Sequence, residues 1–350
     1  MTEVLPAAAT APAGVPVELG NVERELKKLW AEGGDVMSRA SLINLAVYSE
    51  APDSLAANTK IISELTEEHA CRAIVVTADP AASSDKLEAW INAHCHVSRA
   101  GGKQVCSEQL SFSLAGSSAK LLPNIVFAHL DSDLPLYFWW QDEFHDPMDA
   151  QLWSWVDRLI YDSRGWHNAP QQLRLLDEAQ AETKHRVVLC DLNWTRLVQL
   201  RLALAQFFDC ADARERLEEI ARVEIEFAPS YRSTAILLVG WLAAQLHWKS
   251  IAEFEFTSEN GRPVTITLGE KTGEMIRRCS LFGARSEYRV EHKAGSNLLE
   301  VSRHTNGKER LHQLMPAGRN DPVSLMREEL MRGGPHRVYL RAVEAVRGFL

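Results

Sequence analysis

The sequence predicts an α/β amino-terminal domain with a mostly parallel or mixed sheet, followed by an α+β domain that ends in an antiparallel meander. In the first half, a strand over residues 41–48, a helix over 54–68 and a strand over 71–77 form one strand–helix–strand unit, which requires parallel strands and a right-handed crossover. From Ile251 onward, short alternating segments are separated by Gly or Asn, which is typical of antiparallel sheets.

Length and composition favour two domains behind a leader. A chain of 350 residues exceeds the size at which a single core stops growing. Residues 1–18 are rich in Ala and Pro and bury too little surface to order themselves, so they are predicted to be a disordered leader. The α/β domain is predicted over residues 19–165 and the α+β domain over 166–350, with the junction between Gly165 and Pro170.

Within the first domain, helical and strand patterns alternate. A helix is predicted to begin near Asn21, a good N-cap, and to end before Gly33 and Gly34. After the strand–helix–strand unit we expect two strands in a hairpin-like arrangement, then a helix and a strand. These elements cover residues 90–97, 105–114, 152–155 and 158–163.

The stretch from Leu121 to Trp140 is predicted to organise the first domain. Two apolar runs, residues 125–128 and 134–140, flank a polar turn, so we predict a strand, a turn and a second strand. Neither run alternates cleanly, which indicates burial on both faces. The second run ends in two adjacent tryptophans, directly before an acidic segment.

The second domain begins with alternating helices and strands and then changes to strands alone before it closes with helices. The predicted helices cover residues 171–184, 195–208, 233–247, 322–331 and 338–349, and the predicted strands cover residues 186–190, 223–227, 251–257, 263–268, 276–282, 287–292 and 298–303.

Charge is distributed unevenly along the chain. The formal net charge is −9, and residues 1–165 contain 12 Lys and Arg against 23 Asp and Glu, whereas the remainder contains 26 against 24. Nucleic-acid binding requires a basic stripe that replaces counterions, and the first half shows the reverse. An acidic half fits either a protein partner with a basic face or a solubilising surface.

Signals for export or membrane insertion are missing from the sequence. No apolar run approaches the roughly 20 residues that span a bilayer. The Ala/Pro tract at the amino terminus is not preceded by the basic region of a secretory signal. The six cysteines form no C-x-x-C pair, so we predict reduced thiols in a cytoplasmic protein.

Signatures of catalysis and of cofactor binding are missing as well. The sequence has no glycine-rich dinucleotide motif, no P-loop, no H-E-x-x-H and no G-x-S-x-G. Asp142, Glu143, Asp146 and Asp149 have the residue types for an acid/base pair, but a solvated acidic loop is the favoured interpretation. We therefore predict no catalytic residue, no cofactor and no enzymatic activity.

Cys95 and Cys106 lie on the two strands of the predicted hairpin. With His94 and His96 they have the residue types of a zinc site, but adjacent residues on a strand point to opposite faces and cannot all reach one ion, so no metal is predicted. A reversible disulfide that acts as a redox switch is an alternative, and it requires Cα atoms within about 7 Å. Inert buried thiols are the favoured interpretation.

The ten tryptophans are the most unusual feature of the composition. Most are expected to pack in a core or at the domain junction, because an indole buries a large area. One or two at a rim would be strong interface anchors. The predicted partner-binding residues are Trp139, Trp140, Asp142 and Glu143, with the tryptophans facing either the junction or a partner.

A series of segments also carries a family resemblance. They begin at Arg39 (RASLINL), His69 (HACRAIVV), Ala93 (AHCH), Gly102 (GKQVCSEQ), Asp133 (DLPLYFWW), Asp157 (DRLIYDS), Asp191 (DLNWTRL) and Leu237 (LLVGWLA). In this order, over about residues 35–250, the sequence resembles the OpcA family of glucose-6-phosphate dehydrogenase assembly proteins, with a weaker likeness to the end.

The resemblance implies a non-catalytic cytoplasmic protein of bacteria that binds glucose-6-phosphate dehydrogenase and promotes its assembly or active state, at the entry to the oxidative pentose phosphate pathway. It supplies no catalytic residues. Ala70 stands where the family pattern has proline, and the regulatory cysteines of some cyanobacterial members do not match positions here. The competing hypotheses are a small-molecule enzyme and a sugar-phosphate or nucleotide sensor, with an unrecognised pocket between the domains.

Overall fold

A computed structural model describes residues 14–32, 37–97, 104–184, 186–209 and 216–350. The chain forms two units. Unit 1 contains Met1–Tyr161 and Arg174–Cys190, and unit 2 contains Asp162–Leu173 and Asp191–Leu350. The predicted boundary after residue 165 stays a prediction.

Unit 1 is built on a mixed sheet that has nine strands among the described residues, in the order β1-β5-β6-β4-β3-β7-β8-β9, with β2 beside β6. The strands are β1 (Val15–Val17), β2 (Met37–Arg39), β3 (Ile43–Ser49), β4 (Cys71–Asp79), β5 (Lys86–Val97), β6 (Gln104–Ala115), β7 (Leu136–Trp140), β8 (Arg158–Tyr161) and β9 (Val188–Asp191). The helices of this part of the chain are α1 (Val22–Glu32), α2 (Ser54–Leu65), α3 (Leu122–Ala128), α4 (Ala150–Trp153) and α5 (Ala169–Glu182).

Much of the predicted order of unit 1 is confirmed. Strands β3 and β4 are parallel and α2 connects them, as the strand–helix–strand pattern requires. Strands β5 and β6 form the expected antiparallel pair. Part of the predicted leader is ordered, because β1 pairs with β5. Residues 1–13 and the predicted helix stop at Gly33 and Gly34 lie outside the described residues.

The first strand predicted within Leu121 to Trp140 is wrong. Residues 125–128 belong to helix α3, whose first turn contains Pro123. Proline suits that position because its fixed φ is helical and no N–H is needed there. A run of four apolar residues does not distinguish a buried strand from a buried helix. The second predicted strand is confirmed as β7.

Unit 2 contains a sheet with eight strands among the described residues, in the order β11-β12-β13-β10-β14-β15-β16-β17. Its strands are β10 (Arg222–Phe227), β11 (Lys249–Ala252), β12 (Glu255–Thr257), β13 (Pro263–Glu270), β14 (Ile276–Phe282), β15 (Ser286–His292), β16 (Leu298–Thr305) and β17 (Lys308–Pro316). The helices that follow α5 are α6 (Leu192–Thr195), α7 (Val198–Ala205), α8 (Arg232–Leu246), α9 (Pro322–Met331) and α10 (Arg337–Val346).

The predicted meander of unit 2 is confirmed. Strands β14, β15, β16 and β17 pair antiparallel, each with the next strand in sequence. Strand β10 lies between β13 and β14, and it is parallel to β13 and antiparallel to β14. The predicted strand over residues 251–257 is divided into β11 and β12, and β17 was not predicted. The predicted fold class, an α/β domain followed by an α+β domain with an antiparallel meander, therefore holds.

Helices α8 and α10 approach each other closely at Gly240. A Cβ atom on Gly240 would collide with the carbonyl oxygen of Ala342 and crowd the side chain of Val346. Ala342 and Val346 are themselves fully buried. Glycine is thus required for the two backbones to pack at this distance. None of the described helices combines the length and the apolarity needed to cross a membrane.

Candidate functional site

The carboxyl ends of β3 and β7 mark the place where the strand order of unit 1 reverses. The chain continues from β3 to β4 and β6 on one side, and later adds β7 and β8 on the other, with all these strands parallel. Ligands of doubly wound sheets bind outside the strand carboxyl ends at such a reversal. The residues predicted to bind a partner follow β7 at this point.

The turn after β3 has none of the features of a nucleotide-binding turn. Nucleotide sites place glycines here, so that backbone N–H groups at the start of the next helix approach a pyrophosphate. In this chain the turn reads Glu50-Ala51-Pro52-Asp53, and Asp53 adopts a positive φ of 61° although it is not glycine. An incoming pyrophosphate would meet carboxylates at this turn.

Four side chains at this edge form what we term the acidic cluster: Tyr48, Glu50, Asp142 and His145. The Tyr48 hydroxyl donates to Glu50 Oε1 at 2.7 Å, and His145 Nε2 contacts the same oxygen. The backbone N–H of Glu50 donates to Asp142 Oδ2 at 2.7 Å. These bonds tie the turn after β3 to the loop after β7.

Burial raises the pKa of two members of this cluster, Asp142 and Tyr48. It raises the pKa of the Asp142 carboxyl above its ordinary value, and the neighbouring Glu50 charge adds to this rise, whereas the N–H bond from Glu50 opposes it. Burial, together with the hydrogen bond to Glu50, raises the pKa of Tyr48 far above its usual range. Tyr48 therefore remains a protonated donor at all physiological pH values.

The two predicted partner-binding tryptophans are both buried. Trp139 is 4% exposed and Trp140 is 5% exposed. The Trp140 ring stacks on Tyr48 with centroids 4.2 Å apart and lies 5.7 Å from the ring of Trp153, while its Nε1 donates to the carbonyl of Glu143 at 3.2 Å. The Trp140 indole thus supports the loop after β7, and the half-buried Asp142 and Glu143 belong to the loop itself.

The other acidic residues of this loop have separate structural partners. Asp149 caps α4 by accepting the N–H groups of Gln151 and Leu152, at 2.9 and 3.1 Å. Asp146 pairs with Arg174 at 2.5 Å. Asp146 and Asp149 are thus occupied by an ion pair and a helix cap, which are structural tasks.

A cavity of about 290 Å³ lies beside the acidic cluster. Its wall includes Tyr48, Lys120, Trp140, His145 and Asp149. This volume is at the lower limit of small-molecule pockets. The aromatic packing and the charges of its wall make it a poor site for a nucleotide.

Another tryptophan of unit 1, which the sequence pattern does not distinguish from its neighbours, is at the surface. Trp155 is 60% exposed, and its ring contacts that of Phe127 with centroids 5.4 Å apart. Leu42 is 70% exposed. These residues precede the parallel strands β8 and β3, so they lie at the amino edge of the sheet. The sequence contains no signal that separates Trp155 from Trp153, because the predicted helix over residues 152–155 includes both.

Cys95 and Cys106 are joined by a disulfide. They stand directly opposite each other in the β5–β6 register, with Cα atoms 4.0 Å apart. This differs from the prediction of reduced thiols, and the reason is their direct cross-strand pairing. His94 and His96 have separate partners, Gln109 at 2.9 Å and Thr66 at 3.1 Å. The redox role of the disulfide stays a prediction.

Two family models match most of the chain, in order. Residues 62–178 match the model described as the N-terminal domain of the glucose-6-phosphate dehydrogenase subunit. Residues 187–343 match the model described as the C-terminal domain of the same subunit. Each model lies largely within one half of the fold.

Curated relatives give a consistent result. The OxPP cycle protein OpcA of Synechocystis sp. is 24% identical over 266 residues, which are 69% of this chain and 54% of that protein. The protein of the same name from Synechococcus elongatus is 26% identical over 222 residues, or 58% of this chain and 48% of that protein. The chain thus spans about half the length of the curated relatives it matches.

A solved structure with a similar chain trace is the aldose-aldose oxidoreductase of Caulobacter crescentus. The two are 8% identical, with a TM-score of 0.48, over 87% of this chain and 96% of the other. No functional conclusion follows from so distant a likeness.

Proposed function

Because the chain belongs to the OpcA family of glucose-6-phosphate dehydrogenase assembly proteins, we propose that it binds glucose-6-phosphate dehydrogenase and promotes its assembly or active state. The observation that carries this proposal is the match to both domain models in succession. As an allosteric activator, the protein acts by binding the active state of the dehydrogenase more tightly than the inactive state, and this difference in affinity limits its effect.

A non-enzymatic role is supported by the acidic cluster. The place where doubly wound sheets hold nucleotides is occupied here by the Glu50 carboxylate and by the stacked rings of Tyr48 and Trp140. The turn that would need glycines contains a proline and two acidic residues. We propose that unit 1 retains the layout of a ligand-binding sheet and uses its edge for structure and for protein contact.

Two surfaces of unit 1 are proposed to contact the dehydrogenase. The first is the loop after β7, with the half-buried Asp142 and Glu143, together with the buried Trp139 and Trp140 that end the strand before it; its carboxylates suit a basic face on the partner. The second is the exposed Trp155, since exposed tryptophans are frequent binding hot spots.

An activity assay tests the proposal directly. Dehydrogenase turnover is measured with and without this chain while the substrate is titrated, and we expect a higher maximal velocity or a lower KM in its presence. No change in either quantity would reject the activator role. Copurification of the dehydrogenase from native extracts measures the association independently.

Variants locate the contact surface. The Asp142→Asn/Glu143→Gln pair and Trp155→Ala are each expected to weaken binding of the dehydrogenase by about tenfold or more, because hot-spot truncations cost above 1 kcal/mol. Glu259→Gln, an exposed residue of unit 2, is the matched charge control. If a variant is folded and binds the dehydrogenase as tightly as Glu259→Gln does, the surface that this variant changes is not a contact surface.

We also propose that the Cys95–Cys106 disulfide responds to redox conditions and adjusts activation. A covalent link between paired strands restricts the unfolded chain, so its reduction should cost roughly 3 kcal/mol of stability. The test compares dehydrogenase activation after oxidant and after dithiol treatment, with Cys95→Ser/Cys106→Ser as the control that cannot form the bond. Equal activation under both treatments eliminates the redox role and leaves a structural bond.

A further inference from the structure

A second cavity, of about 420 Å³, lies wholly within unit 2. Its polar wall comes from the segment after β8 and from the start of α8. We term it the basic pocket, and its polar lining residues are Ser163, Arg164, His167, Ser230, Arg232 and Ser233. The apolar lining residues include Ile236, Val343 and Phe349.

Two carboxylates lie next to the basic pocket without belonging to its lining: Glu253 Oε1 is 3.8 Å from Arg232, and Asp191 accepts hydrogen bonds from Ser163 and Tyr339. The lining itself is basic. It contains two arginines and neither Asp nor Glu, although the whole chain has a formal charge of −9. Arg164 lies over the ring of Tyr231 at 5.2 Å, and its buried Nε has no hydrogen-bond partner.

Helix α8 adds a second source of positive potential. It has 15 residues and begins at Arg232, and its N-cap residue, Tyr231, gives no side-chain hydrogen bond to the first turn. Ser230 and Ser233, on either side of this start, both line the pocket. The uncapped N–H groups and the helix dipole favour an anion at this end.

The base of the pocket is held in place by buried hydrogen bonds. The Ser163 hydroxyl donates to Asp191 Oδ2 at 2.6 Å, and the Tyr339 hydroxyl donates to the same oxygen at 3.2 Å. Asn193 Nδ2 donates to the Ser233 hydroxyl at 3.3 Å. Fixed side chains bind a ligand without a large cost in ordering entropy, so the pocket is preorganised.

We infer that the basic pocket binds a small phosphorylated metabolite, whose phosphate lies between Arg164, Arg232 and the start of α8. Arginine pairs with phosphate through two parallel N–H bonds, which makes these side chains well suited to a phosphomonoester. The carbon skeleton would pack on the apolar wall, and the cavity volume falls within the range of small-molecule sites. The site belongs to this chain alone and is independent of any dehydrogenase.

Titration calorimetry on the full chain tests the site, with inorganic phosphate, glucose 6-phosphate and glucose as probes at constant ionic strength. We expect saturable binding of both phosphates, tighter for the sugar ester, and none for glucose. Arg164→Gln and Arg232→Gln should each weaken glucose 6-phosphate binding by at least tenfold. Arg310→Gln removes the same charge from an exposed position on β17 and should leave binding unchanged.

Several results would overturn the inference. The inference fails if inorganic phosphate and glucose 6-phosphate show no saturable binding, or if glucose binds as tightly as glucose 6-phosphate. It also fails if glucose 6-phosphate binds no more tightly than inorganic phosphate, or if Arg310→Gln weakens glucose 6-phosphate binding as much as Arg164→Gln and Arg232→Gln do. Circular dichroism establishes that each variant is folded. If Arg164→Gln is not folded, Arg232→Gln decides, because Arg232 is exposed and its replacement leaves the core intact.

Discussion

The cavities of the two units have comparable sizes and linings of different charge. In unit 1 the cavity of about 290 Å³ is lined by aromatic rings, among them Tyr48 and Trp140, and by one lysine and one aspartate, Lys120 and Asp149. In unit 2 the cavity of about 420 Å³ has Arg164 and Arg232 in its wall. The two arginines favour an anion in the cavity of unit 2, whereas the lysine and the aspartate in the lining of the unit 1 cavity offset each other.

The contrast also shows that topology alone does not make a binding site. The strand reversal of unit 1 is where a doubly wound sheet would hold a nucleotide, but its turn has no glycine-rich sequence and its space is filled by rings. In unit 2, no such topological signal exists among the described residues, and the arginines and the helix start come together only in the folded chain. Side-chain chemistry, more than position in the fold, distinguishes the strand reversal of unit 1 from the basic pocket of unit 2.

The largest effect is expected from Trp140→Ala, which tests whether the edge of unit 1 is filled core. Removing this buried indole should lower the free energy of unfolding by about 3–5 kcal/mol, because a large cavity replaces aromatic packing. Trp155→Ala, at an exposed position, should cost less than about 1 kcal/mol. Urea unfolding measures both, and similar losses would contradict the distinction between the two tryptophans.

A pH effect is expected from the carboxyl beneath the basic pocket. Burial raises the pKa of Asp191 to about 6, although hydrogen bonds from Ser163 oppose the rise. The folded state therefore holds this proton more tightly than the unfolded state, and stability is lost as pH rises from about 4 to about 6. Relative to Asp191→Asn, the wild type should lose roughly 3 kcal/mol across this window and nothing more above it.

Urea unfolding of both proteins at pH 4, 5, 6 and 7 provides the measurement, since the remaining titrating groups cancel in the difference. A difference that stays constant between pH 4 and 7 would show that folding does not raise the pKa of Asp191, and would contradict the prediction.

The smallest effect is expected from Asp142→Asn, in the acidic cluster of unit 1. Burial also raises the pKa of Asp142, so the sign of the pH dependence is the same as for Asp191. Its size should be smaller, because Asp142 is only half-buried and solvent screens its charge. The same unfolding series measures it, with Glu259→Gln as the control. A larger change than that of Asp191 would reverse the ranking of the two sites.

Local periodicity was sufficient for most of the fold. The β3–α2–β4 unit and the β5–β6 hairpin followed from apolar runs and their spacing, and the hairpin placed Cys95 and Cys106 on neighbouring strands. Helix α3 was missed because its apolar run is too short to reveal a period. In each case the information lay within a few residues along the chain.

The sites depended on contacts that the sequence does not display. Adjacent residues of a strand point to opposite faces, so one of Trp139 and Trp140 could have faced outward; both are buried because β7 is covered on both sides. Arg164 and Arg232 are distant in sequence, and no local pattern indicated that they share a cavity. The exposure of Trp155 likewise depends on tertiary packing.

The glycine at position 240 has an implication for how the basic pocket can evolve. Ile236 of helix α8 and Val343 of helix α10 both line the pocket, so the distance between these two helices sets the width of the cavity. That separation depends on the missing methyl group at Gly240. Ligand selectivity is thereby coupled to a residue outside the binding site, and a single added carbon at Gly240 would widen the pocket and loosen the core at once.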